Sequence, residues 1–200
     1  MNKFFVILLL ICYNIGIGQT SSYHNVSKSF DFKVKIHRGM LMEDPCIVTV
    51  LLQSKISKKA IQTIKYKAGF LSEDVFTDPN FVRSYSTGKN RKVEVSDYDF
   101  GDLVISDLNF DGRDDFAIKN DSGGNEGPFY NFYIQNKNGS FFIDKFLTDS
   151  VGSFPKHIIK ETKTITTLIH ANAHEECKTS YQFNTKKSKW KTIKRTFVKY

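Results

Sequence analysis

Alternation of apolar and polar residues is the feature that most constrains how this chain folds. Apolar side chains occupy every second position in residues 30–36, and residues 92–95 repeat the pattern. A period of two puts alternate side chains on one face of a β-strand, whereas a helix needs a period of about 3.6. Residues 54–66 are the best candidate for a helix, but their apolar spacing is ambiguous. Short apolar runs predict further strands at residues 47–52, 103–105, 116–118, 129–134, 141–143 and 165–169.

Two aromatic hairpins are expected in the second half of the chain. The segment Asn-Lys-Asn-Gly at residues 136–139 is a strong turn signal between two predicted strands. Tyr181 and Phe183 face Trp190 across the polar turn 185–188 in the same way. Aromatic residues make up 14% of the chain and suit stacked sheets. We therefore predict an all-β fold, an antiparallel β-meander with blade-like hairpins.

The N-terminus has the organisation of a secretory signal peptide. Lys3 precedes an apolar stretch, and small residues follow it. The stretch is shorter than the ~20 residues that a membrane-spanning helix needs, so we expect no transmembrane segment after the signal is removed. We predict a signal peptide at residues 1–18, periplasmic or secreted localisation, and a single domain at residues 19–200 that begins with a loose lead at 19–28. Lipidation at Cys12 stays open, although bulky Ile11 precedes it.

Two cysteines remain after the signal peptide is removed. Cys46 and Cys177 form an even pair, and export places them in an oxidising compartment. We therefore expect one disulfide bond that joins the start of the domain to its end. The alternative is two unrelated buried thiols.

Charge is segregated along the sequence, whose net charge is +8. Residues 178–200 hold eight basic residues and no acidic one, whereas residues 97–126 hold nine acidic and two basic residues. Export argues against nucleic acid as the partner of the basic end, so we expect no nucleic-acid binding. Its lysines suit the exposed face of an edge hairpin, where they oppose aggregation, but an anionic partner stays open.

The strongest motif lies in the acidic segment, where residues 107–115 match the pattern D-x-N-x-D-G-x-x-D. Calcium binds about six to eight hard oxygen atoms that a tightly curled loop gathers around the ion. The side chains of Asp107, Asn109 and Asp111 would supply the first, third and fifth positions of such a loop. Gly112 permits the sharp turn that follows. The motif therefore predicts a Ca2+ site.

The second half of the loop completes this set of oxygen ligands. The Arg113 carbonyl would supply the seventh position, and the Asp115 carboxylate would supply the ninth. Ile118 stands where a helix–loop–helix calcium hand has glutamate, which favours a strand–loop–strand site. We expect a structural ion, because clustered carboxylates without a cation repel one another. A solvated acidic turn is the alternative interpretation.

The motif is similar to the calcium loops of FG-GAP and VCBS-type β-propeller repeats. Residues 107–118, the Ser-Gly-Gly segment at 122–124 and the aromatic residues 130–133 more narrowly resemble a family of small periplasmic propeller-like proteins. At least one member of that family is an immunity protein that inhibits a lysozyme-like effector of a bacterial secretion system. The resemblance covers about residues 100–147, and it implies a propeller-like fold, calcium binding and an inhibitory role.

The resemblance also implies where a partner would bind. Inhibitors of lysozymes commonly insert a loop that contains serine and glycine into the catalytic cleft. By that logic, Ser122, Gly123, Gly124 and Tyr130 are the candidate contacts with a lysozyme-like hydrolase. An ordinary wide hairpin loop is the alternative.

The sequence lacks the catalytic motifs of the common hydrolases. It has no Ser-His-Asp order, no nucleophile elbow and no phosphate-binding Gly-Lys-Ser motif, so we predict that the protein is not an enzyme. His170 and His174 lack the glutamate placement of a zinc protease, and we interpret them as histidines of a loop or of a strand pair rather than as zinc ligands. A cell-envelope adhesion or glycan-binding module is the alternative function, and an envelope hydrolase is the least favoured.

Overall fold

Strands account for nearly all the regular structure of the computed structural model, which describes residues 18–39 and 45–199. Within these residues the strands form three sheets that follow one another along the chain. The predicted signal peptide, including Cys12, lies outside the described residues except for Gly18. No helix in the described part of the chain is long and apolar enough to cross a membrane.

In each of the three sheets, the strands lie side by side in the order in which they occur along the chain. The first contains β1 (Gly18–Tyr23), β2 (Phe30–His37), β3 (Cys46–Ser54) and β4 (Ala60–Ala68). The second contains β5 (Val82–Ser84), β6 (Leu103–Ser106), β7 (Asp115–Gly124), β8 (Gly127–Gln135) and β9 (Phe141–Ile143). The third contains β10 (His157–Ile159), β11 (Thr164–Asn172), β12 (Glu175–Asn184) and β13 (Lys189–Lys199).

Neighbouring strands are antiparallel in all three sheets, apart from the parallel pair β5 and β6. Short helical segments occur at Pro79–Phe81, which is a 3-10 turn, and at Phe146–Val151, which is a π-helical turn. The prediction of an all-β fold with antiparallel sheets is therefore confirmed.

The second sheet is buried on both faces, which explains its continuous apolar strands. Leu103 and Ile105 of β6 belong to a core shared with the first sheet, which includes Phe32 of β2. Val104 belongs to a second core, which includes Ile165 of the third sheet. Because alternate side chains of a strand point to opposite faces, one Leu-Val-Ile run serves both cores. The second sheet therefore lies between the first and the third.

The N-terminal segment is well paired, which corrects the expectation of a loose lead at residues 19–28. β1 pairs antiparallel with β2 along its whole length. Tyr23 and Val26 are both buried in the core between the first and second sheets. Most residues of β1 are small and polar and do not alternate with apolar ones, so the sequence does not predict a strand here. Backbone hydrogen bonds to β2 hold the strand in place instead.

Two further segments differ from their expected local structure. Residues 54–66, the candidate helix, form a turn followed by most of β4. Residues 92–95, a predicted strand, form part of the long connection between β5 and β6. Arg83 explains the second difference, because its guanidinium donates to the carbonyls of Arg91 at 3.1 Å and Val93 at 2.9 Å. A side chain therefore satisfies backbone groups that a neighbouring strand would otherwise pair.

Cys46 and Cys177 are free buried thiols, which corrects the predicted disulfide bond. Cys46 lies in β3 of the first sheet, whereas Cys177 lies in β12 of the third. Their surroundings differ, because Arg38 Nη1 lies 3.9 Å from Sγ of Cys46 and Thr179 Oγ1 lies 3.6 Å from Sγ of Cys177. The two thiols are unrelated because the second sheet separates the layers to which they belong.

Candidate metal-binding loop and the adjoining rim

The candidate metal-binding loop connects β6 to β7 within the second sheet. Ser106 pairs with Asp115 across the base of the loop, so the chain reverses direction between two buried strands. Leu108 is fully buried in the core shared with the third sheet, and the Phe110 ring lies 6.2 Å from the ring of Trp190 in β13. The loop thus lies between two strands, as expected, and two apolar side chains attach it to the sheets.

The first three predicted ligands lie close together within the loop. The Asp111 N–H donates to Oδ1 of Asp107 at 2.9 Å and to Oδ1 of Asn109 at 3.1 Å. The Asn109 amide in turn donates to the Asp111 carboxylate at 2.7 Å. Positive φ angles of 62° at Phe110 and 85° at Gly112 let the backbone curl around these oxygen atoms. The structure therefore brings Asp107, Asn109 and Asp111 together.

Asp115 closes the loop from the side of the sheet. Its Oδ2 accepts the N–H groups of Leu108 at 2.8 Å and Asn109 at 3.3 Å, and its Oδ1 accepts the Gln135 N–H at 2.9 Å. Burial raises the pKa of the Asp115 carboxyl to about 7, although these hydrogen bonds act in the opposite direction. Since an ionised carboxylate offers about four lone-pair positions, about one position on Oδ1 is left for a cation. Asp115 chiefly shapes the loop.

Arg113 places a positive charge inside the loop through its side chain, in addition to the carbonyl that the calcium pattern uses. Its guanidinium contacts the Asp111 carboxylate, and its Nε donates to the Gln135 carbonyl at 3.2 Å. Lys160 adds a second cation 3.7 Å from Oδ2 of Asp107. These two cations offset part of the repulsion between the carboxylates of the loop.

Histidine, cysteine and acidic side chains do not by themselves form a metal-binding cluster in the part of the chain that the structure describes. Among residues 18–39 and 45–199, no three His, Cys, Asp or Glu side chains form a group that could hold a metal ion. A calcium site in the loop would therefore have to include the amide oxygen of Asn109 and the carbonyl oxygen of Arg113.

The Gly-rich loop, residues 120–128, comprises the end of β7, the turn and the start of β8, and its first half is attached to the segment that follows β4. Ser122 Oγ accepts the Ser72 N–H at 3.0 Å. A Cβ atom on Gly123 would lie 1.9 Å from the Gly127 carbonyl oxygen, so the close backbone approach requires glycine. Ser122 and Gly123 therefore have structural roles, whereas Gly124 is exposed.

Tyr130 is not available to a partner, which corrects its prediction as a contact residue. Its side chain is only 1% exposed and packs against Phe154, with ring centroids 6.0 Å apart. Its hydroxyl donates to Oδ1 of Asp99 at 3.3 Å. Tyr130 thus falls on the inward face of β8, in the core shared with the third sheet.

A cavity of about 720 Å³ opens beside the tip of the Gly-rich loop. Residues 124–126 at the tip line one side, and residues 170–173, at the end of β11 and the start of the turn to β12, line another. Asp97, from the connection between β5 and β6, completes the lining. We call Asp97 and these two segments the rim. Gly124 is the rim residue that was predicted as a contact, and Asn125 and Glu126 follow it directly in the chain. Asp97 and residues 170–173 were not predicted, because they are distant from it in the sequence.

The turn at Asp97 and Tyr98 holds its part of the rim in an uncommon backbone conformation. Their φ angles are 47° and 59°, a region that costs a non-glycine residue about 1–2 kcal/mol. The Tyr98 hydroxyl contacts the Glu176 carboxylate, and its ring lies 4.9 Å from the ring of His170. These contacts help to hold the turn, which no glycine or asparagine marks in the sequence.

A buried ion cluster next to the rim uses part of the acidic charge of the chain. Lys119 Nζ lies 2.8 Å from Oδ2 of Asp99 and 2.9 Å from Oδ1 of Asp102. The Phe76 N–H also donates to Asp102 at 2.7 Å. Burial lowers the pKa of Lys119, but the carboxylates of Asp102 and Asp99 outweigh this effect and raise it overall. The acidic segment is therefore partly internal rather than a continuous surface patch.

Comparison with known proteins finds a likeness at the level of the fold. No known protein family and no curated protein matches this chain. Among solved structures, a Xanthomonas type IV secretion system related protein matches with a TM-score of 0.54 and 15% sequence identity. The match covers 92% of this chain and 88% of the other chain. At this level of identity, the likeness shows that the two proteins share a fold.

Proposed function

We propose that this chain is an exported, calcium-stabilised binding protein that inhibits a lysozyme-like, peptidoglycan-cleaving enzyme. The observation that carries the proposal is the rim, where an exposed glycine-containing tip stands beside a polar cavity. The fold shared with a Xanthomonas type IV secretion system related protein supports it, as does the sequence resemblance to periplasmic inhibitors. Three consecutive sheets with their strands in chain order would correspond to the blades of a propeller-like fold.

The catalytic cleft of a glycosidase holds two carboxyl groups, one on each side of the bond to be cleaved. The polar groups of the rim can hydrogen-bond to such a pair. Gly124 has no side chain, so the tip is narrow. Asn125 and Glu126 are exposed beside it. The Asn125 amide can donate to an ionised carboxylate, and the Glu126 carboxylate can accept from a protonated one. The tip would therefore inhibit by filling the position of the substrate.

Calcium is proposed for the loop of residues 107–115 on the chemistry of its donors. The side chains of Asp107, Asn109 and Asp111 place hard oxygen atoms close together. The Arg113 carbonyl and the remaining lone pair of Asp115 would complete the set. Bound calcium would supply the positive charge that the loop now takes from side-chain cations, and it would stiffen the connection between two buried strands of the second sheet.

An inhibition assay tests the proposed function. The exported chain is added to a panel of muramidases, together with the product of the gene next to its own. We expect one of these enzymes to be inhibited. Asn125→Trp should weaken that inhibition by about tenfold or more, because a bulky indole ring at the tip would prevent close docking. A tenfold loss corresponds to about 1.4 kcal/mol of binding free energy. Lys137→Trp is the matched control, since Lys137 is also exposed, in the turn between β8 and β9. Failure to inhibit any enzyme of the panel would contradict the proposal.

A glycan-binding module is the second candidate function, and β13 is the observation that favours it. This strand lies at the end of the third sheet in its described order and exposes Lys189, Lys191 and Lys194. Replacement of these three lysines by glutamine should abolish binding to cell-wall material while leaving enzyme inhibition unchanged. Cell-wall binding that survives the replacement would exclude this function for β13.

A further inference from the structure

A second cavity, of about 610 Å³, lies where segments of all three sheets meet. Lys28 comes from the segment before β2, Arg91 from the connection between β5 and β6, and Lys156 and Lys160 from the two ends of β10. None of its lining residues belongs to the rim. We call it the basic cavity.

Positive charge dominates the lining of the basic cavity. Among its described lining residues, five lysines or arginines and His157 face two carboxylates, those of Asp107 and Asp114. Both carboxylates are already engaged. Oδ2 of Asp107 lies 3.7 Å from Lys160 Nζ, and Oδ2 of Asp114 accepts the Ser27 hydroxyl at 2.7 Å. The cavity therefore retains an excess of positive charge.

Three of these cations lack an acidic partner. Across residues 18–39 and 45–199, no carboxylate lies within ion-pair distance of the Lys28, Arg91 or Lys156 side chain. Arg113 differs, because its guanidinium is held by Asp111. Unpaired cations around a concave surface create a positive potential that concentrates anions inside it.

Arg91 is the cation whose position is best defined. The Arg83 guanidinium donates to the carbonyls of Arg91 and Val93, which fixes the backbone of this connection. The Arg91 guanidinium carbon lies 5.8 Å from the centre of the Tyr85 ring, within the range of a cation–π contact. The Tyr85 ring stacks in turn on Phe154, with centroids 6.1 Å apart. Arg91 is exposed, but its guanidinium lies against a ring that packs on the core.

We propose that the basic cavity binds a compact organic anion that carries two or more phosphate or carboxylate groups. Arginine pairs with either group through two parallel hydrogen bonds, and Lys28 and Lys156 would act as point charges on the remaining groups. The cavity volume lies within the range of roughly 300–1,000 Å³ that is typical of small-molecule sites. This inference rests on the cations and the cavity alone, and it is independent of the proposed inhibition of a lysozyme-like enzyme.

Isothermal titration of the exported chain tests the inference with two probes. Fructose 1,6-bisphosphate presents phosphate groups, and tricarballylate presents carboxylate groups. Each probe is titrated once with calcium present and once with a chelator, so that removal of an ion from the protein is not mistaken for binding. We expect saturable binding of at least one probe, and the probe that binds identifies the anionic group that the cavity prefers.

Paired variants locate the binding. The double variant Arg91→Gln/Lys156→Gln should weaken binding by about tenfold or more, because it removes two cations that would form charge-assisted hydrogen bonds with the anion. The control Lys189→Gln/Lys191→Gln removes the same charge from β13 and should leave the affinity unchanged. An equal loss in both double variants would overturn the proposal, since the attraction would then be a general effect of net charge. Absence of binding by both probes under both conditions would also overturn it.

Discussion

Lys119 is a lysine inside a buried strand, and its neighbours explain why the fold tolerates it. It follows Ala117 on one face of β7, and its ammonium group lies between the carboxylates of Asp99 and Asp102. Its backbone carbonyl accepts the Tyr66 hydroxyl of β4 at 2.8 Å. This residue therefore links β7 to two other segments, and its charge is compensated within the core.

Replacement of Lys119 by methionine should destabilise the protein severely. The aliphatic stem is preserved, but two carboxylates lose the cation that compensates them, and removal of one partner of a buried ion pair costs about 3–5 kcal/mol. The free energy of unfolding, measured in urea, reports the loss. Lys186→Met in the exposed turn between β12 and β13 is the control, for which we expect a change within about 0.5 kcal/mol. A loss below 1 kcal/mol in Lys119→Met would show that water solvates the cluster.

At the scale of elements, the loop between β6 and β7 presents carboxylate oxygens as hydrogen-bond acceptors. Backbone N–H groups and the Arg113 guanidinium both bind to them. Asp107 and Asp111 accept hydrogen bonds from the loop itself, and Asp111 also holds the Arg113 guanidinium. A calcium ion would therefore compete with Arg113 for the same carboxylate. The competition makes the proposed site testable from two directions.

Calcium should raise the melting temperature of the protein, and Asp111→Ala should abolish that response. Arg113→Gln should instead strengthen calcium binding by roughly fivefold, because it removes a competing ion pair worth about 1 kcal/mol. Thermal scans across a calcium titration, repeated with a chelator, measure both effects. Asp74→Ala removes an exposed carboxylate outside the loop and should leave the calcium response intact. Identical melting with and without calcium would exclude the site.

β1 pairs with β2 along its length, and one buried aromatic side chain at its end adds an anchor in the core. Tyr23 is buried in the core between the first and second sheets, and its hydroxyl donates to the Phe76 carbonyl at 3.3 Å. Tyr23→Ala should lower the free energy of unfolding by about 3 kcal/mol or more, the usual cost of deleting a buried ring. Ser22→Ala, at the neighbouring exposed position, should change it little. Similar urea midpoints for the two variants would mean that the Tyr23 ring does not anchor β1.

At the scale of the whole molecule, the order of the layers decides which distant residues can meet. The second sheet separates the first from the third, and it holds the candidate metal-binding loop. Cys46 and Cys177 lie in the outer two layers. The rim, in contrast, joins the second sheet to the third, because the tip of the loop between β7 and β8 stands opposite the turn between β11 and β12.

The two cysteines should behave as independent buried thiols. Cys46→Ala and Cys177→Ala should each cost about 1 kcal/mol, and the double variant should cost their sum within about 0.5 kcal/mol. A disulfide would make the costs strongly non-additive, because either single change already breaks the bond. Urea unfolding without reductant, together with thiol titration in denaturant, distinguishes the two cases. Failure to detect either thiol in the denatured chain would restore the disulfide.

Local patterns in the sequence were sufficient for most strands and for the position of the candidate metal-binding loop. Residues 103–105 and 116–118 were identifiable as strands because each is a short apolar run beside a turn signal. β1 was not, since its backbone pairing with β2 needs no apolar side chains of its own. Residues 92–95 have the alternation of a strand but form part of a connection. The Arg83 guanidinium donates to the Arg91 and Val93 carbonyls and so holds this segment out of a sheet.

The sequence by itself determined that the chain is all-β and that the oxygen donors of residues 107–111 share one tight loop. Periodicity and turn chemistry could establish this because they act between residues a few positions apart. Only the tertiary structure decided that Tyr130 is buried, that Cys46 and Cys177 lie in different layers, and that the rim is assembled from three segments. These outcomes depend on which face of a sheet packs against which neighbouring sheet. Contacts between residues that are far apart in the chain produce no periodic pattern in the local sequence, so they cannot be read from it.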